Sequence, residues 1–484
     1  MYPPLPGTAS WSAQIFSGKG LSVFPGRPSP DDLIPRISDR GSTRLVIGGA
    51  VACTVALALY AVSMRAHPEH MELNWFDFRV YWDGGQVARH SPGRLYAWRL
   101  GPEVRFTYTP FAAVLFSLLS LMPWTVARWL MTGASVTALL LVVSMTLRQL
   151  GWPGRRRLGA VLLFGALAFW FQPVQRAMHL GQIELILMAL IVWDLGQPSR
   201  RWWRGAGIGL AAGIKLVPLV FIPYLLLTGR FRQAGVAIAV LAGTVIAGFG
   251  VLPRASRQWW LTGYFLGAGR TGGVASLANQ SLRGLLTRLA GSVSAAAPGS
   301  LAVAILVGVI GVLGAAVFCQ SGRPVHGWAL CALTGLLVSP ISWDHHWVWM
   351  VPVLVLLADT AMRSERAWRW GLWAAAAAVG VVFFDWPGSV PGDGSLVPRG
   401  VLPLVYGPGE HPYGDLYHWH GAELLLGNAY VLAGLVLFGA MIAAAAAARP
   451  SRAYRTPRGW LADPFPLPRR SEADRELIRS LRAR

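Results

Sequence analysis

Charge is scarce in this chain. Only 13% of its 484 residues are Asp, Glu, Lys or Arg, against roughly 25% in an average soluble domain, while 54% are hydrophobic. That imbalance excludes an ordinary solvated globule. Apolar windows near or above the roughly 17–25 residues needed to cross a bilayer recur from 45–64 onward, so the composition describes a multi-pass membrane protein. Carboxylates are the scarcer sign, 22 acidic against 43 basic residues, for a net charge of +21. A nucleic-acid binder would gather that excess on one soluble surface. Here the arginines sit in short loops between apolar runs, as the positive-inside rule requires, and no nucleic-acid partner is expected. Only three cysteines occur, Cys53, Cys319 and Cys331. They lie in or at the edges of apolar segments without metal or redox spacing, and read as small core hydrophobes. The first 44 residues are rich in Pro, Gly and Ser and hold no apolar run, so no signal peptide is expected there. No short-period repeat appears, and the alanine runs at 374–378 and 443–448 are helix filler.

Charge placement predicts the threading. Basic loops at 148–157, 197–204, 229–233, 321–324 and 363–369 belong on the cytoplasmic side. Apolar segments at 45–64, 124–147, 158–171, 183–196, 235–252, 301–319, 325–339, 347–362, 370–384 and 424–448 then alternate correctly, provided that 205–227 is an inserted hairpin broken near Lys215 and Pro218. About twelve passes result. The expected parts are a cytoplasmic tail (1–44), a membrane domain (45–448) and a basic cytoplasmic tail (449–484), whose amphipathic end either rests on anionic lipid or is solvated. Longer loops at 67–109, 172–182, 253–300, 339–346 and 385–421 fall on the opposite face. They hold nearly all the unusual polar residues, which predicts an extracytoplasmic functional surface.

Several of these residues have both a bland and a chemical reading. In "FDFRVYWDGG", Asp77, Tyr81 and Gly84 or Gly85 share one face of an interfacial helix, with Phe78 and Trp82 on another. Asp77 either caps that helix or accepts a proton at a cavity mouth. The proline-bounded run 106–123 suits a re-entrant or interfacial element, and packing is its expected role. In "PVQRAMHLGQIELIL", Glu184 either meets the partial charge of a helix N-terminus or joins a site in which Arg176 and Gln182 hold a phosphate or sugar. Lys215 lies among apolar residues, where a charge costs about 2.5–3.5 kcal/mol on the insertion scale. It either snorkels or holds an anion beside a broken helix. In "NQSLRG", at the start of a helical pattern, either Asn279 is a helix cap or Asn279, Gln280 or Arg283 contacts a hydroxyl-rich ligand. Asp344, His345 and His346 of "SPISWDHHWVW" sit between tryptophans that an interface alone would select. Zinc would need further ligands, which "YHWH" (417–420) supplies only in part, so a phosphate-binding histidine is the simpler chemistry and no metal is expected.

Together "FDFRVYWDGG", "GRLYAW", "FTYTPFAAVLF", "LGQIELILMAL", "RGAGIGLAAGIKLVPLVF", "NQSLRG" and "SPISWDHHWVW" resemble the polyprenol-phosphate-mannose-dependent α-1,2-mannosyltransferases of glycosyltransferase family 87, in order across 45–448. The resemblance implies an all-α polytopic GT-C-type fold, an outer-face active site and a polyprenyl-phosphate sugar as donor. It further implies a glycolipid or glycan acceptor, membrane lipids as surroundings and no cofactor. Asp77 matches the family's catalytic base, and His345 or His346 the region near the donor phosphate. Two positions depart from the pattern: Glu184 stands where Asn is common, and Asp344 is not shared by all relatives. The implied chemistry is one in-line displacement with inversion, Asp77 taking the acceptor proton. Arg176, Lys215 and His345 or His346 would stabilise the departing phosphate. The rival from another class is a transporter built on broken helices. The rival within the class is a transferase for another lipid-linked sugar.

Overall fold

The computed structural model describes residues 39–66, 73–101, 104–267, 273–389, 396–405 and 419–448. The tails expected at 1–44 and 449–484 lie outside the described residues apart from 39–44, as do 417–418 of the "YHWH" stretch. Among the described residues the chain is helical almost throughout, with two short antiparallel ribbons, Arg99–Leu100 on Val104–Arg105 and Pro387–Ser389 on Leu396–Pro398. This is the all-α polytopic architecture expected for the GT-C type.

Among the described residues six helices are long and apolar enough to cross a membrane: Arg40–Ser63, Trp124–Gln149, Phe231–Val251, Val293–Gln320, Asp344–Arg363 and Ala429–Ala446. A seventh candidate is the pair Gln172–Leu180 and Glu184–Leu195, bent by 116°. The count therefore stops at six or seven on length, short of the expected twelve. The difference lies in short helices. Pro324–Val338 has 15 residues, roughly 22 Å at 1.5 Å per residue, against a hydrocarbon core of about 30 Å. It is nevertheless buried along almost its whole length, because it packs inside the bundle and not against lipid. Arg40–Ser63 is the opposite case. Only 11% of its apolar window is buried, and Ile47, Val51, Leu57 and Val62 face outward, where an acyl environment would cover them.

Three local features position the polar residues. Trp75, the one non-glycine with positive φ among the described residues (47°), turns the chain into the helix Phe76–His90. A left-handed tryptophan persists only when its surroundings hold it. Its amide donates to the His179 carbonyl (2.9 Å), its indole to Thr132 (3.0 Å), and Arg128 lies 4.5 Å over its ring. Second, Gly181 (φ 68°) makes the bend between Gln172–Leu180 and Glu184–Leu195, where an added Cβ would meet the Phe78 Cβ at 2.6 Å. Third, the helix Ala206–Ile214 ends at Lys215, which is extended, before a 3-10 turn at Val217–Val220. The predicted break near Lys215 and Pro218 is present. Thr109 caps Pro110–Leu119, accepting from the Ala112 amide, and also donates to the Gly213 carbonyl, so the proline-bounded segment is tied to that broken end.

Candidate active site

Asp77 stands in the first turn of Phe76–His90 but does not cap it; the first helical amide, Phe76 N–H, donates to Asn74 Oδ1 (3.0 Å). Asp77 Oδ2 instead accepts from Gln182 Nε2 at 2.5 Å. The orientation of that amide follows from its other end. Tyr81 donates to Gln182 Oε1 (2.5 Å), Tyr108 approaches the same oxygen (3.3 Å), and the two phenols are 2.6 Å apart. Burial holds both phenols well above their usual range, so they are neutral donors. Two hydroxyls on one oxygen leave the NH2 facing Asp77. Burial also raises the Asp77 carboxyl above the ordinary carboxylate value, opposed by His345, the Gln182 bond and Arg176, and assisted by Glu184. The expected alignment of Asp77 and Tyr81 on one face is therefore realised through Gln182. Gly84 and Gly85 serve the same face by close approach, since a Cβ on either would collide with the Phe106 ring or the Phe116 carbonyl.

A second cluster adjoins the first. Lys215, one of two lysines in the chain, pairs with Glu184 Oε1, contacts His346 Nε2 (3.0 Å) and lies 5.5 Å from the Tyr108 ring centre. An ammonium can only donate, so His346 Nε2 must be the lone-pair nitrogen, and His346 is a neutral acceptor. That differs from its expected cationic role. His345 is turned the other way. Its Nδ1 lies 3.2 Å from Asp344 Oδ1, while its Nε2 is buried with no hydrogen-bond partner. Asp344 Oδ2 in turn meets Gln172 Nε2 (3.3 Å) and Arg176 Nε (3.8 Å), and Tyr430 donates to Gln172 Oε1 (2.8 Å).

Glu184, His345 and His346 bring three ligand-type atoms within 4.8 Å of one another. Lys215 already bonds two of those residues, so a tethered ammonium supplies the positive charge that a metal ion would bring. Glu184, Lys215 and His346 also form the polar end of an open-sided trough, whose walls include Leu187, Met188, Ile191, Val220, Leu336 and Trp349. A polar end on an apolar trough suits an amphiphile with an anionic head.

Not every residue singled out in the sequence joins these clusters. The Asn279 side chain donates to the Val274 carbonyl (2.8 Å) and accepts from the Ser342 amide (2.9 Å). That of Gln280 donates to the Leu277 and Gly427 carbonyls and accepts from the Tyr430 amide. Both are fully buried, and with the Asp344 amide on the Ala278 carbonyl (2.7 Å) they brace the segment carrying the two histidines. Arg283 is half-buried on Leu282–Ala290, its Nε unpartnered. Conversely, Tyr108, Gln172, Asp385 and Tyr430 carry polar contacts or charge in this region and were not anticipated. Tyr108 lay in a run read as packing, and no spacing rule links Gln172 to a tyrosine 258 residues away.

An all-helical, multi-span membrane protein whose buried carboxylate, histidines and lysine converge at the head of an apolar trough has the form of a membrane-embedded transferase acting on lipid-linked substrates. The sequence profile of Glycosyltransferase family 87 matches residues 106–340. The chain is 33% identical over 317 residues to a polyprenol-phosphate-mannose-dependent alpha-(1-2)-phosphatidylinositol pentamannoside mannosyltransferase of Mycobacterium tuberculosis, covering 64% of this chain and 72% of the relative. The protein of the same description in Mycolicibacterium smegmatis is 33% identical over 64% of this chain and 76% of its own length. An alpha-(1->3)-arabinofuranosyltransferase of Corynebacterium glutamicum is 29% identical over 38% of this chain and 43% of its own. No solved structure gives a significant match. The chain belongs to glycosyltransferase family 87 and is a membrane glycosyltransferase, which sets the transporter reading aside.

Proposed function

We propose that this enzyme moves a mannosyl residue from a polyprenyl-phosphate donor to a hydroxyl of a phosphatidylinositol mannoside or related glycan. Transfer takes place at the extracytoplasmic face, with inversion to an α-1,2 linkage and Asp77 as general base. The relatives' descriptions supply the donor and acceptor classes. The observation that carries the reading is Gln182. One amide joins the Asp77 carboxylate to a tyrosine pair beside Lys215, so a base and a cation share one enclosure.

The chemistry follows from those positions. Asp77 Oδ2 is held by Gln182, which leaves Oδ1 to accept the proton of the acceptor hydroxyl. Burial makes that carboxylate a better base than an exposed one. The acceptor oxygen bonds to the anomeric carbon as the bond from that carbon to the phosphate oxygen breaks, its electron pair leaving with the phosphate. The growing charge meets Lys215 and His345. Of the two histidines His345 is the better phosphate partner: with Nδ1–H on Asp344, the imidazolium form presents Nε2–H to an oxyanion. His346, accepting from Lys215, orients that ammonium instead. Glu184 and the phosphate compete for the same cation, so donor binding exchanges part of one ion pair for another. The isoprenoid chain occupies the apolar trough, and Tyr81, Gln182 and Tyr108 fix the base.

Purified enzyme given polyprenyl-phosphate mannose and a mannoside acceptor should release polyprenyl phosphate and elongate the acceptor. Asp77→Asn should lower turnover about 10²–10⁴-fold without unfolding the protein. Full turnover by that variant would remove Asp77 from the role. A second reading, transfer of another lipid-linked sugar, rests on the likeness to the arabinofuranosyltransferase, and polyprenyl-phosphate arabinose in the same assay separates the two.

A further inference from the structure

The turn 339–342, between the helix Pro324–Val338 and the histidine segment, is tied down on several sides. The Ser339 amide donates to the Gly335 carbonyl (3.1 Å) and its hydroxyl to the Ile341 carbonyl (2.7 Å). Ser281 donates to the Pro340 carbonyl (3.3 Å). Ser342 is clamped at both of its backbone groups: its amide donates to Asn279 Oδ1 (2.9 Å), and its carbonyl accepts from the Gln280 amide (2.7 Å). Two fully buried amide residues thus fix one serine. Its side chain is the exception. Ser342 Oγ is buried and makes no hydrogen bond among the described residues, whereas Ser339 on the same trough has its hydroxyl satisfied. A buried hydroxyl without a partner costs free energy. A ligand bonded to it recovers that cost and gives the doubly held backbone a purpose.

The trough indicates what the ligand is. Ser342 lines it together with Glu184, Lys215 and His346, and most of the remaining wall is apolar. An ammonium carries three N–H groups. Lys215 gives one to Glu184 and one to His346 Nε2, which leaves a third. The polar end therefore holds an open N–H and an open O–H, and their complement is an oxygen that only accepts, as in a phosphate. Against it stands Glu184 Oε2, also open, whose charge repels an anion. Net charge alone does not hold a phosphate here, because Glu184 offsets Lys215 and His346 is neutral. A hydroxyl adds a donor without adding charge, so it acts on the anion even while Lys215 stays shared with Glu184. We propose that the Ser342 hydroxyl donates to a non-bridging phosphate oxygen of the polyprenyl-phosphate donor, with Asn279 and Gln280 setting its position. This rests on the transferase reading, and adds to it a head-group contact separate from Lys215 and the histidines.

The test uses the full chain in detergent, with undecaprenyl phosphate and the uncharged undecaprenol as probes. Ser342→Ala should bind the phosphate about tenfold more weakly than the unmodified protein, since a hydrogen bond to a charged group is lost, and should bind undecaprenol equally well. Neither inorganic phosphate nor phosphatidylglycerol at the same concentration should displace the polyprenyl phosphate; displacement by either would overturn the assignment to the donor. Without ligand, Ser342→Ala should melt no lower than the unmodified protein, because no bond inside the protein is removed. Its gain in melting temperature on adding undecaprenyl phosphate should shrink. Ser342→Cys keeps the shape with a weaker donor and should move binding the same way, so that whichever variant folds decides the question. In steady state the donor KM of Ser342→Ala should rise about tenfold while the acceptor KM moves less than about twofold. Unchanged phosphate affinity in a folded variant would overturn the contact, as would an equal loss of affinity for undecaprenol. If the unmodified protein bound undecaprenyl phosphate through Ser342 yet transferred no mannose from its mannosylated form, the proposed function would fall and the contact would stand.

Discussion

Two sets of buried carboxylates in this molecule are treated in opposite ways. In the one flanking the basic loops, every oxygen is taken. Asp194 Oδ1 accepts from the Gly205 amide (2.7 Å) and Gln233 (3.2 Å), and its Oδ2 from the Ile208 amide (2.9 Å), so that it holds the first turn of Ala206–Ile214. Asp359 is likewise closed by Arg363 and the Trp152 indole. In the other set, the candidate site, Glu184 Oε2 and the neighbouring His345 Nε2 are buried and unpartnered. A satisfied buried charge is architecture. An incomplete one, held beside a cavity, costs stability that only a ligand recovers.

The contrast is broken most severely by Lys215→Met, which leaves Glu184 buried without its cation. About 3–5 kcal/mol of stability should go, and turnover should fall about 10²–10³-fold. Adding Glu184→Gln should recover the melting temperature and leave turnover low; recovery of both would assign Lys215 to architecture. Asp194→Ala should act the other way round, lowering stability by about 1–2 kcal/mol through lost capping, with turnover per folded molecule unchanged.

A smaller effect sharpens the comparison through pH. The folded Asp77 carboxyl titrates above its unfolded value because it is buried. Protonation is therefore favoured by folding, and the stability this group contributes is present at low pH and lost as pH rises through its folded pKa. Asp77→Asn should accordingly raise the melting temperature above that pH while lowering turnover about 10²–10⁴-fold. The acid limb of kcat/KM in the unmodified enzyme should lie above the ordinary carboxylate range. A variant that melts lower at neutral pH would argue for a structural Asp77. Least of all should matter Asp83→Asn, which removes the exposed i,i+4 pair with Arg79 (2.9 Å). A change beyond about 0.5 kcal/mol in melting would be unexpected for such a pair.

Much of the site was legible in the sequence because polar residues in an apolar chain stand out. Asp77, Lys215 and the Asp344–His346 stretch attract notice for that reason alone, and helical spacing correctly joins Asp77 to Tyr81. What escaped was role. Asn279 and Gln280 look like sugar-binding amides, but each is closed on backbone groups and supports the histidine segment. Tyr108 looks like packing and is half of the tyrosine pair on Gln182. Length and apolarity alone bear out six or seven of the expected twelve passes among the described residues, because apolarity does not distinguish a helix that faces lipid from a shorter one wrapped by other helices, as Pro324–Val338 is.

By itself the sequence determined that this chain lies in a membrane, where its helices break and which few side chains bear charge among apolar neighbours. These are properties of composition and local order, set by the cost of exposing a residue to water or lipid. Tertiary structure alone decided which of those side chains meet. Asp77 and Gln182 are 105 positions apart, and Lys215 and His346 are 131 apart. A hydrogen bond or ion pair acts over a few ångströms, and only the packing of the intervening helices brings such groups within that range.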